Sequence, residues 1–132
     1  MNERAKVKTT TIKAFLLVLM SLLMIATPAL ANKTSVKIAA PDKVKKDSSF
    51  IITINVMHSA NNIFHFTDWV YLKINGKEVQ RWKYGMFSRP DNGNFSVTYT
   101  AKATEDLVLE AEGDCNLHGS AGKTIMKIVV EP

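Results

Sequence analysis

Apolar and polar positions alternate through most of the chain after residue 31. Ser35–Ala39 is short and half alternating. Ser49–Val56 reads Ser-Phe-Ile-Ile-Thr-Ile-Asn-Val and is rich in β-branched residues, which suit a pleated, half-buried strand. Phe66–Ile74 places Trp69, Tyr71 and Lys73 on one face and Val70, Leu72 and Ile74 on the other, because side chains in a strand alternate with period two. Asn75-Gly76 is a two-residue hairpin signal that leads into Lys77–Tyr84. Asn94–Ala101 alternates again, with Phe95, Val97 and Tyr99 together, and Leu107–Glu112 sets Leu107, Leu109 and Ala111 against Val108, Glu110 and Glu112. Ile125–Val130 closes the chain. Beyond residue 31 no window holds a helical period. Seven short strands parted by Gly, Pro, Asn and Asp turns predict an all-β chain: an immunoglobulin-like, seven-stranded β-sandwich.

The first thirty-one residues follow another pattern. Arg4, Lys6, Lys8 and Lys13 form a basic start, Ala14–Ile25 is apolar, and Ala29-Leu30-Ala31 is a small-x-small cleavage site. This predicts a secretory signal peptide over 1–31 and one domain over 32–132. The apolar run is short for a membrane span, which takes about 20 residues, so no membrane association is expected after cleavage. The leader predicts a periplasmic or secreted protein. It also changes the reading of charge. The formal charge of +5 falls to +2 once Arg4, Lys6, Lys8, Lys13 and Glu3 are removed. The remaining basic residues are dispersed, which argues against nucleic-acid binding. Lys43, Lys45 and Lys46 read as a solvated turn.

Candidate chemistry is confined to two short segments. The chain has one cysteine and three histidines. Cys115 and His118 stand in Gly113-Asp114-Cys115-Asn116-Leu117-His118-Gly119, and His58 and His65 lie close together upstream. A thiolate and an imidazole three residues apart can turn onto one metal ion, and flanking glycines allow the turn. A lone cysteine cannot form an internal disulfide. It is an inert buried thiol, an intermolecular bridge or a metal ligand, and the Cys-x-x-His context favours the ligand. His58 and His65 would face opposite ways in one strand, since seven is odd. Ser59-Ala60-Asn61-Asn62 reads as a loop that frees both rings to converge.

These residues resemble a known family. Cys115-Asn116-Leu117-His118-Gly119 is similar to the Cys-Asn-x-His-Gly element of the superoxide reductases, also called neelaredoxins and the iron domain of desulfoferrodoxins. His65-Phe66-Thr67-Asp68-Trp69 resembles the family's His-x-x-x-Trp element, and His58 sits near its preceding histidine. The resemblance implies an immunoglobulin-like fold and a mononuclear non-haem iron held by histidines and an axial cysteine. By that resemblance the metal ligands are His58, His65, Cys115 and His118. Superoxide is the substrate, taking one electron from Fe(II) and two protons to leave as hydrogen peroxide. Lys33 matches a lysine that assists turnover, and electrons would come from a separate donor protein. The family's first histidine is missing: Thr34 follows Lys33 in its place. One in-plane position is then left to water, another side chain or nothing. Thr34→His is expected to restore the ligand if Thr34 lies near the site.

Two other readings stand beside this one. Three imidazoles and a thiolate also suit zinc or copper, so an exported metal-binding sandwich without reductase activity is the alternative. A sandwich that has lost its metal and binds other proteins is the third. A homo-oligomer is compatible with either.

Overall fold

The computed structural model describes Phe15 and residues 32–132. The predicted leader, apart from Phe15, and its cleavage site lie outside the described residues. Eight strands follow in chain order: β1 (Ser35–Ala39), β2 (Lys43–Lys45), β3 (Ser49–Met57), β4 (Thr67–Ile74), β5 (Lys77–Lys83), β6 (Asn94–Lys102), β7 (Leu107–Cys115) and β8 (Thr124–Glu131). One sheet has the order β1-β3-β6 and the other β2-β8-β7-β4-β5. The two sheets pack as a sandwich, as the alternation predicts. Among the described residues no helix is long and apolar enough to cross a membrane.

The core follows directly from the period of two. β3 turns Phe50, Ile52, Ile54 and Val56 inward, and β7 turns Leu107, Leu109 and Ala111 inward to meet them. Ile52, Ile54, Leu72 and Leu109 are fully buried. Each such side chain contributes roughly 1.5–3 kcal/mol by leaving water. Among the described residues the buried cluster runs from Val36 to Ile128. The β4–β5 hairpin turns through Asn75 and Gly76, both at positive φ (50° and 80°), as a primed hairpin turn requires. On the outer face, Trp69 stacks on Tyr71 at 5.7 Å, and the Arg81 guanidinium covers Trp69 at 4.8 Å. Trp82 and Tyr84 instead pack against the core.

Two expectations are corrected. There are eight strands rather than seven, because Lys43–Lys45 is a strand and not a solvated turn. It pairs in parallel with β8, Val44 opposite Val130, and Lys43 Nζ meets Glu131 Oε1 at 2.9 Å. Its lysines suit an edge strand, where charge discourages pairing with another chain. The second correction concerns β7. It continues past Glu112, and its inward column runs Leu107, Leu109, Ala111, Gly113, Cys115. Cys115 therefore ends a strand and does not sit in the following loop.

Candidate metal centre

Four polar segments meet at the end of the sandwich where β3 and β7 finish and β1 and β4 begin. Cys115 is the last inward residue of β7 and only 2% exposed, so its sulfur caps the core column. Gly113, one inward position below, is required by close packing: a Cβ there would lie 2.8 Å from Thr34 Cγ2. After Cys115 the chain closes a tight turn. Gly119 N–H donates to Cys115 O at 3.0 Å, and Cys115 N–H donates to Gly119 O at 3.2 Å. Gly119 has φ 75°, a value that costs glycine little. This turn carries His118 back over the sulfur.

Asparagine side chains hold the segment from His58 to Phe66. Asn62 Oδ1 accepts the N–H groups of Phe64 and His65 at 3.0 and 2.9 Å. Asn61 Oδ1 accepts Thr67 N–H at 2.8 Å, and Asn116 Oδ1 accepts Phe66 N–H at 2.9 Å. Asn116 Nδ2 also donates to Phe64 O at 3.0 Å, tying the His65 loop to the Cys115 turn. Asparagine suits this work because its short amide reaches backbone groups two or three residues away.

Within this frame the three imidazoles converge. His58 Nε2 lies 3.1 Å from His65 Nε2, which lies 3.1 Å from His118 Nδ1. Cys115 Sγ is 3.8 Å from His118 Nδ1. The ligand atoms of His58, His65 and Cys115 all fall within 4.8 Å of one another. Successive rings stand nearly perpendicular, at 82° and 77°. The sulfur's polar neighbours among the described residues are Asn116 Oδ1 and His118 Nδ1. The backbone N–H groups of Leu117 and His118 are not among them.

Hydrogen bonding alone does not satisfy this set. His58 Nε2 is also 3.1 Å from Asn32 O. A ring nitrogen carries either a proton or one in-plane lone pair. His58 Nε2 cannot donate fully to Asn32 O and also share a proton with His65 Nε2, which touches His118 Nδ1 as well. A cation receiving every lone pair satisfies the donors together. The spacing agrees: nitrogens about 2.1 Å from one ion and at right angles stand about 3.0 Å apart. Burial holds the His58 imidazole below its ordinary value of 6.5, and charge on His65 and His118 acts the same way. The neutral, ligating form is therefore favoured.

The chain resembles known proteins in sequence and in fold. The desulfoferrodoxin family profile matches residues 27–121. The chain belongs to the desulfoferrodoxin family. Among solved structures, it is similar to the superoxide reductase (neelaredoxin) of Ignicoccus hospitalis at 31% identity and TM-score 0.63, covering 75% of this chain and 83% of that one. It is also similar to a candidate superoxide reductase from Thermotoga maritima at 26% identity and TM-score 0.55, over 74% of this chain and 86% of that one. A CARDB domain from Pyrococcus furiosus, 14% identical at TM-score 0.55 over 76% of this chain and 94% of that one, shares the fold. No curated protein matches the chain.

The family element Cys115-Asn116-Leu117-His118-Gly119 thus forms the end of β7 and its turn, with Asn116 as the brace between loops. Lys33 lies beside the cluster. It lines a hollow of about 220 Å³ together with Ser35, Met57, His58, Ser59, Asn94 and Ala121, and it forms no ion pair among the described residues.

Thr34 does not stand as a ligand position. It is fully buried, its Oγ1 is 3.4 Å from Thr67 Oγ1, and its methyl faces Gly113. A histidine there would enter the packed interior, where overfilling costs about 1–3 kcal/mol. Thr34→His should therefore lower the melting temperature and leave metal affinity no tighter. Tighter binding in a metal titration would contradict this placement.

Proposed function

We propose that the protein is an exported, mononuclear non-haem iron protein that reduces superoxide to hydrogen peroxide. One observation carries the reading: in a chain of the desulfoferrodoxin family the ligand atoms of His58, His65 and Cys115 lie within 4.8 Å of one another, with His118 Nδ1 3.1 Å from His65 Nε2 and 3.8 Å from Cys115 Sγ. His58, His65 and His118 would hold the metal through nitrogen, and Cys115 through sulfur. Held by these residues, iron would supply the one electron that turns superoxide, with two protons, into hydrogen peroxide. A thiolate ligand raises the electron density available for that transfer, as it does in haem–thiolate sites. Cys115 is buried on the core column, so its position is fixed before any ligand arrives.

The residues around the cluster divide the remaining work. Lys33 borders the hollow beside His58 and would draw the superoxide anion toward it. The mature surface, at +2, would steer in the same sense. Among the described residues no carboxylic acid lines that hollow, and water would supply the protons. Electrons return from a separate donor protein. The leader over 1–31 supports placement in the periplasm or outside the cell, with metal loaded there.

Lys33→Ala tests the steering role. The iron-loaded, reduced variant should react with superoxide about 2–10-fold more slowly at low salt, a share of the 10–10³-fold that focused fields supply. Its rate should also depend less on ionic strength than the parent's. Equal rates with equal salt slopes would remove Lys33 from the account.

A further inference from the structure

Asn32 approaches the donor set at His58. Its main-chain carbonyl oxygen lies 3.1 Å from His58 Nε2. When that nitrogen's lone pair points at a cation, the nitrogen has no proton to offer, so the carbonyl and the ring nitrogen are two acceptors in contact. Such a pair is unfavourable unless both face the same positive charge. We infer that the backbone of Asn32 is itself a ligand: its carbonyl oxygen, and the α-amino nitrogen exposed when the Ala31–Asn32 bond is cleaved, close a five-membered chelate on the metal. This rests on the metal-site reading above. Leader removal then completes the site, and the hydrolysis that frees the amine is the export machinery's own reaction.

Three hydrogen bonds fasten the chain at Asn32 and just beyond it. Ser59 Oγ, next in sequence to His58, donates to Asn32 Oδ1 at 3.1 Å. Two residues on, Thr34 N–H donates to Gly119 O at 3.3 Å, and Ala121 N–H donates to Thr34 O at 2.9 Å. The bridge between Thr34 and Ser120 ties this strand to the turn bearing His118. The start of the mature chain is thus fastened on both sides of the imidazoles, so little ordering entropy remains to be lost when a metal binds. The departure at Thr34 acquires an explanation in these terms. With no imidazole at that position, the main chain two residues earlier would supply the missing donors.

The chelate needs a free amine at residue 32 itself. One extra residue converts that amine to an amide nitrogen, a poor ligand, while every side chain stays the same. The test compares residues 32–132, beginning at Asn32, with the same protein carrying Ala31 as an additional first residue. Co(II) is the probe, because its visible bands report donor type and coordination number. Loss of an outer partner of a ligand already costs about 10–100-fold in affinity. Loss of a bound nitrogen should cost no less, so the extended form should bind Co(II) at least about tenfold more weakly and with altered bands. His65→Ala in both forms keeps the two readings apart. Its Co(II) binding should weaken sharply in either form if the side-chain site is real. Equal affinities and spectra for the Asn32-first and Ala31-extended proteins, with binding still dependent on His65, would overturn the chelate and leave the side-chain site standing. Co(II) binding indifferent to both changes would overturn both.

Discussion

Replacing Cys115 with serine should abolish the visible thiolate-to-Fe(III) absorption of the oxidised iron protein and slow its reaction with superoxide at least about a hundredfold, the upper end of what loss of an outer partner costs. The sulfur sits at the last inward position of β7 and is 2% exposed. Serine is similar in volume, and the paired bonds between residues 115 and 119 run through the main chain. The turn that carries His118 should therefore persist, so the loss reports on the ligand and not on the fold. Circular dichroism of the variant should match the parent. An iron-loaded Cys115→Ser protein that consumes superoxide as fast as the parent would refute the role given to the thiolate.

Gly93→Ala should damage the site from a distance in sequence. Gly93 O accepts the His58 N–H at 3.1 Å, and a methyl on Gly93 would collide with the His58 carbonyl oxygen. Backbone cannot swing aside as a flexible side chain can, so the main chain at His58 must move. Overpacking of this kind costs about 1–3 kcal/mol. The same movement shifts His58 Nε2 relative to His65 Nε2, and metal affinity should fall about 10–100-fold, as for other losses of ligand orientation. Gly85→Ala is the control, since an added Cβ there meets only Ser88 Oγ at 3.4 Å. Thermal melting and a metal titration measure both effects. A Gly93→Ala protein with unchanged affinity would show that His58 is not held through this contact.

How much was legible in the sequence depends on whether the signal was local. β1 and the Asn75-Gly76 turn read correctly because alternation and turn chemistry lie within a few neighbouring residues. β2 was hidden because it is three residues long, two of them lysine, and is stabilised by a parallel partner more than eighty residues away. The end of β7 was hidden for another reason. Gly113 is an inward position without a side chain, so the apolar side-chain pattern breaks before Cys115.

The histidines and the cysteine were visible as residue types at short spacings, and the loop after β3 explains why an odd spacing between His58 and His65 need not separate them. Their braces were harder to see. Asn61, Asn62 and Asn116 look like ordinary loop residues until their amides are seen on the backbone of Thr67, His65 and Phe66. A run of asparagine beside a candidate ligand is a usable signal for such bracing. The inward direction of Thr34 and the approach of Asn32 O to His58 depend on contacts across the sandwich, and nothing in the local pattern reports them.

The central claim is tested most directly by the yield of hydrogen peroxide when the protein, isolated from its own cells and reduced, meets a pulse of superoxide. An iron reductase should give one peroxide for each superoxide consumed, with one iron oxidised alongside. A copper protein that dismutates superoxide would give one peroxide for every two superoxides, together with dioxygen, and a zinc protein would leave the decay of superoxide unchanged. Either of these last two results would contradict the account.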